Sequence, residues 1–150
     1  MRALYFAYGS NLSLARMRER VPSARVVGPG LLRGAGLRLD KRGADGSGKA
    51  NLATDRDACV WGVAYRLAVA DWDDLDAVET GYSRVTVQLE LLGRSVSAET
   101  YRSERLTAHP VAFDWYKRLI VEGARQHGLP DAYISLLDAL RTRPDPRRRS

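Results

Sequence analysis

Glu79 and the heptapeptide Tyr5-Phe6-Ala7-Tyr8-Gly9-Ser10-Asn11 are the residues of this chain whose types and surroundings could do chemistry. An apolar strand that breaks at Gly-Ser-Asn and leads into a helix leaves several backbone N–H groups unpaired around the turn, pointing one way. Such a turn can cradle an anion or an oxyanion. It can equally be a strand, a tight turn and an N-cap with no further role. Glu79 stands near the end of Asp71-Trp72-Asp73-Asp74-Leu75-Asp76-Ala77-Val78-Glu79-Thr80-Gly81, which reads as a short helix with acids in its first turn and Gly81 as its stop. Trp72, Leu75 and Glu79 at i, i+3 and i+7 share a face, so the carboxylate continues the stripe that the apolar residues bury. Burial and the negative end of the helix dipole both disfavour its charged form, raising its pKa toward what a general base needs at neutral pH. An exposed helix-end Glu beside Asp76 is the alternative.

The elements that must position these groups are mostly strands. Arg2 to Tyr8 reads as a first strand and Leu14 to Val21 as a helix capped by Asn11 or Ser13 and ended by Pro22. Arg25 to Asp40 reads as extended chain interrupted at Gly28-Pro29-Gly30, and Asn51 to Thr54 as a short strand. Cys59 to Leu67 is a strong strand. Arg84 to Leu92 alternates, with Val85, Val87, Leu89 and Leu91 on one face, and pairs with Ser95 to Tyr101 through a turn at Gly93-Arg94. Two helices follow, from about Pro110 to His127 and from Asp131 to about Arg141. Strands with helices packed on them make an α+β fold, a curled or barrel-like mixed sheet.

Composition bounds the rest. The 150 residues, 45% of them hydrophobic, suit a single domain with its own core, read as residues 1–142 followed by an Arg-rich, disordered tail at 143–150. The last ten residues supply +4 of the net charge of +6, which argues against a nucleic-acid partner. No apolar stretch approaches the roughly 20 residues of a membrane span, and the start lacks a signal-peptide pattern, so no membrane partner and a cytoplasmic location are expected. The high Arg and Ala usage suggests a high-GC bacterial gene. Cys59, the one cysteine, reads as a small buried hydrophobe. Gly43 to Lys49 fits part of a phosphate-binding P-loop, but Ala50 stands where Ser or Thr must hold Mg²⁺, leaving a flexible surface loop that could act as a lid. His109 reads as a helix-entry residue and His127 as a helix C-cap; with no ligand-spaced partners, neither marks a metal site.

The loop and Glu79 together resemble the γ-glutamylcyclotransferase family and its AIG2-like relatives, whose signature loop contains Tyr-Gly-Ser-Asn. Further matches are Val60-Trp61-Gly62-Val63, Leu75-Asp76-x-x-Glu79, Tyr116-Lys117-x-x-Ile120-x-x-Gly123-Ala124 and Gly128-Leu129-Pro130. The resemblance spans roughly residues 2 to 142. It implies a small mixed β-barrel flanked by helices, with loop and Glu79 facing one cavity, and an enzyme needing no metal or cofactor. Its activity would be intramolecular aminolysis of a γ-glutamyl substrate, releasing 5-oxoproline. Glu79 matches the family's catalytic Glu. Tyr5, Phe6, Ala7, Tyr8, Gly9, Ser10 and Asn11 match the stretch that holds the glutamyl moiety. Tyr116 matches a substrate-contacting position, although it also reads as core, and Tyr82 follows Gly81 where relatives have an aromatic; Tyr101 reads as core. Substrate is left between γ-glutamyl dipeptides, γ-glutamyl amines and protected biosynthetic intermediates, with Asn11 arguing against glutathione. The partner expected is a small-molecule γ-glutamyl substrate, and the chain a monomer or homodimer; a non-catalytic small-molecule binding protein of the same fold is the reading from another class.

Overall fold

Five strands, β1 (Ala3–Ala7), β2 (Arg25–Arg42), β3 (Gly48–Leu67), β4 (Ser83–Leu91) and β5 (Arg94–Arg102), close into a barrel in the order β1-β3-β2-β4-β5. The computed structural model describes residues 3–148. Every pairing is antiparallel except the one that shuts the barrel, where β1 runs parallel to β5 through Tyr5 and Glu99. Outside it lie α1 (Leu14–Arg20), α2 (Asp71–Val78), α3 (Asp114–Gln126) and α4 (Asp131–Asp138), with a two-stranded parallel pair, β6 (Ala112–Phe113) and β7 (Thr142–Arg143). The architecture is the α+β barrel with flanking helices that the sequence implies.

β2 and β3 form one long hairpin, not the interrupted pieces that their glycines suggest. Register shifts between Val26 and Gly28, Arg33 and Ala35, and Arg38 and Lys41 absorb the irregular residues as bulges. A bulge adds a residue and bends the strand without ending its ladder, which is how a sheet curls far enough to close. The P-loop-like stretch is the tip of this hairpin and is built as an ordered turn. Asp45 Oδ1 accepts from the Ser47 N–H at 3.0 Å and from Ser47 Oγ at 2.6 Å, while Gly43 N donates to Ser47 O.

The Trp61-Gly62-Val63 step shows why glycine is needed in a central strand. A Cβ at Gly62 would overlap the Ala7 carbonyl and the Phe6 ring, which fills the barrel interior. Phe6, Val60 and Leu89 are fully buried there, while Tyr65, Leu67, Leu75, Leu12, Met17 and Ile120 are fully buried in the layer between barrel and helices.

Several local expectations are corrected. Cys59 is exposed, because alternation along β3 turns it outward next to the inward Val60. The third helix begins at Asp114, not Pro110, since Ala112–Phe113 is held extended by pairing with Thr142–Arg143. His109 therefore lies in an exposed bend ahead of β6, away from any helix start. α4 stops at Asp138. The segment after 142, expected as a solvated tail, lies against the body through Arg148: Asp145 is buried, and its Oδ2 accepts from Trp115 Nε1 at 3.0 Å. Arg149 and Ser150 lie outside the described residues. No helix among them is long and apolar enough to cross a membrane.

Candidate active site

β1 delivers the signature loop to one end of the barrel. Beyond Ala7 the chain makes a single 3-10 turn, Ser10–Leu12, closed by Leu12 N to Gly9 O at 3.0 Å and Ser13 N to Ser10 O at 3.1 Å. Ser13 then caps α1, its Oγ accepting from the Arg16 N–H. At the start of so short a turn the first amides have no carbonyl behind them. The N–H groups of Ser10 and Asn11 accordingly have no hydrogen-bond partner among the described residues. The carbonyls, in contrast, are tied down from behind. Tyr65 OH donates to Asn11 O at 2.9 Å, and His127 Nε2 lies 2.9 Å from Leu12 O. His127 is the C-cap residue of α3 as expected, but burial depresses its pKa, so it serves as a neutral anchor for the loop and not as a cation on the dipole.

α3 presses on the same turn. A Cβ at Gly123 would collide with the Leu12 carbonyl carbon, Ser13 N and Leu12 Cβ, so only glycine allows this approach.

Glu79 enters from the opposite side. α2 ends at Val78, and Glu79 is its C-cap residue at φ −90° and ψ 54°, leaving the helix two residues before the predicted Gly81 stop. Trp72 and Leu75 are buried as the spacing predicts, and the Glu79 side chain is only 13% exposed. Its Oε1 accepts from Asn11 Nδ2 at 2.9 Å and from Arg20 Nη1 at 3.2 Å. Asn11 Nδ2 also donates to Tyr5 OH at 2.9 Å, whereas Asn11 Oδ1 is buried with no partner among the described residues. Burial raises the Glu79 carboxyl above its ordinary value, and the Arg20 charge, the Asn11 hydrogen bond, Arg16 and Lys41 oppose it. The carboxylate is thus buried but not isolated.

Between loop and carboxylate lies a narrow cleft of about 30 Å³, lined by Tyr5, Tyr8, Gly9, Ser10, Asn11 and Glu79 on those two sides. Ala50, Tyr82, Tyr101 and Tyr116 complete the wall. Phe6 and Ala7 do not reach it: the Phe6 ring points into the barrel beside Gly30 and Gly62, and Ala7 contributes its backbone to the same packing. Tyr116 and Tyr82 clamp Ala50, Tyr116 OH accepting its N–H at 3.0 Å and Tyr82 OH donating to its carbonyl at 2.6 Å. Tyr116 therefore retains its own proton for a ligand, while Tyr82 does not. Tyr101, expected as core only, lines the cleft and donates to Asp76 Oδ1 at 2.5 Å; its carbonyl accepts from Tyr8 OH at 2.6 Å. Sequence reasoning missed Ala50, Tyr65 and Arg20 altogether. For Arg20 a signal existed, since Arg16 and Arg20 at i, i+4 place two guanidinium groups on one helix face.

The site thus joins one buried acid, through an amide side chain, to a turn of free amide donors at the mouth of a small closed barrel. The sequence model of the AIG2-like family matches residues 59–137. The chain is 32% identical to the Gamma-glutamylcyclotransferase of Mus musculus, over 91% of this chain and 78% of the relative, and 30% identical to that of Homo sapiens with the same coverage. A solved Gamma-glutamyl cyclotransferase superposes with a TM-score of 0.92 at 26% identity, covering 100% of this chain and 94% of the other. The chain belongs to the AIG2-like, γ-glutamylcyclotransferase family, and is an enzyme of the cyclotransferase type.

Proposed function

We propose that the protein releases 5-oxoproline from a γ-glutamyl amide by attack of the substrate's own α-amino group on its side-chain carbonyl. The observation that carries this reading is the buried Glu79 hydrogen-bonded to Asn11 Nδ2, with Asn11 Oδ1 buried and without a partner among the described residues: an acid and an open acceptor on adjoining side chains suit an ammonium group. Glu79 takes a proton from that ammonium, and the freed amine forms a C–N bond to the γ-carbonyl carbon. The resulting oxyanion faces the Ser10 and Asn11 N–H groups, donors worth about 3 kcal/mol each in comparable acyl transfers. Collapse of this intermediate breaks the original amide bond. In all, two protons pass through Glu79 from the α-nitrogen to the departing nitrogen, giving the lactam and a free ammonium product. The Tyr116 hydroxyl donates to the α-carboxylate and holds the glutamyl chain in its ring-closing conformer.

The test is 5-oxoproline release from a panel of γ-glutamyl amino acids and γ-glutamyl amines, by the purified protein and a Glu79→Gln variant. Release by the wild type, reduced on the order of 10²-fold or more in the variant, is the expected result. No lactam from any member of the panel, or equal rates from the two proteins, rejects the proposal.

A further inference from the structure

Outside the glutamyl cleft lies a second, larger chamber of about 160 Å³ that shares Ser10, Glu79, Tyr82 and Tyr116 with it. A group attached to a γ-glutamyl moiety in the inner cleft can extend into this adjoining space. Its wall carries four cations, Arg16 and Arg20 from α1, Lys41 from the end of β2 and Lys49 from the start of β3, against Glu79 as its one lining acid. Two of the four are already neutralised: Arg20 pairs with Glu79 at 3.2 Å and Lys49 with Asp45 at 3.0 Å. The other two have no ion-pair partner among the described residues. Lys41 is only 8% exposed, its ammonium resting 4.9 Å from the centre of the Tyr82 ring. Arg16 Nε is buried with nothing to donate to.

Two unpaired cations on the wall of one water-accessible chamber are costly to keep unless an anion arrives to meet them. Burial lowers the affinity of Lys41, Lys49 and Arg16 for their protons, as expected where positive charge is in excess. We infer that the outer chamber is a subsite for a leaving amine that carries two negative charges, so that the preferred substrate is a γ-glutamyl conjugate of an acidic amino acid. One carboxylate is taken by Arg16 and the other by Lys41, with Arg20 and Lys49 adding longer-range attraction. An uncharged or cationic amine leaves both sites unmatched. This inference rests on the cyclotransferase reading of the inner cleft.

The deciding comparison is γ-glutamyl-aspartate against γ-glutamyl-asparagine, which have the same shape and differ by one charge. Two readouts are taken on the full chain: kcat/KM for lactam release, and calorimetric affinity for glutaryl-aspartate and glutaryl-asparagine, which lack the attacking amine and cannot turn over. The aspartyl member is expected to win by about tenfold in both. Lys41→Gln and, independently, Arg16→Gln should each pull that ratio toward one, whereas Lys41→Arg should keep it. Equal values for the two members overturn the subsite, even if both are turned over, and so does a ratio unchanged in both Gln variants. If neither member yields lactam but glutaryl-aspartate still binds about tenfold tighter, the subsite stands and the reaction assigned to the inner cleft falls.

Discussion

Arg20 sets how far Glu79 can depart from an ordinary carboxylate. Burial pushes the acid's pKa up, and the guanidinium 3.2 Å away is the strongest influence pulling it down. Replacing Arg20 by Gln removes that pull, so the acid limb of the kcat/KM profile should move to higher pH than in the wild type; an unmoved limb would show that Glu79 is not the group titrating. The same shift has a sign for stability. A carboxyl whose folded pKa lies above its unfolded value of about 4.5 favours folding while protonated and loses that contribution as pH rises through the folded pKa. Glu79 was legible in the sequence because an acid interrupted an apolar stripe at helical spacing. The double role of Asn11, which donates to Glu79 and Tyr5 while leaving its oxygen free, was not, because it depends on an amide orientation that only the folded neighbours fix.

α3 acts as the backstop of the signature turn, and its fit depends on one missing methyl group. Gly123→Ala would drive a Cβ into the Leu12–Ser13 backbone, so the helix or the turn must give way. Overpacking of this kind costs about 1–3 kcal/mol, read as a lower midpoint in denaturant titration. Because the turn holds the free N–H groups, kcat/KM should also fall, while Gly128→Ala, at an open site with φ +66°, should lower stability without a comparable loss of rate. Element boundaries were legible where local chemistry set them, as at Ser13 and the α2 apolar face. They were misread where tertiary pairing overrode local signals. Pro110 looks like a helix start, yet β7 keeps the next residues extended, and Gly28-Pro29-Gly30 looks like a break that a bulge in the hairpin absorbs.

Across the whole molecule, the C-terminal segment clasps the tip of the β2–β3 hairpin. Arg147 Nη2 approaches Asp45 Oδ2 at 3.4 Å while its Nε meets Asp145, and Arg148 lies 3.8 Å over the Trp115 ring. Asp45 in turn holds Lys49 on the wall of the outer chamber. Asp145→Ala leaves Trp115 Nε1 and the Arg147 backbone N–H without their acceptor and Arg147 with Asp45 alone, so the melting temperature should drop and limited proteolysis should cut within 43–48 sooner than in the wild type. An unchanged cleavage pattern would mean that the clasp adds nothing. Composition gave no hint of it, since five arginines in ten residues look the same whether solvated or docked. The parallel β1–β5 pairing was equally invisible, because contacts between residues more than ninety positions apart leave no periodic trace.

That clasp also orders events during synthesis. β1 and the Ser10–Asn11 turn emerge first and Glu79 midway, but β5 comes nearly a hundred residues after β1, and the residues that pin the hairpin tip come after 142. A nascent chain thus holds the signature turn and Glu79 before Tyr101 and Tyr116 complete the inner cleft, and the wall bearing Lys49 is fixed last. Selectivity for what is cleaved off would be the last property a growing chain acquires.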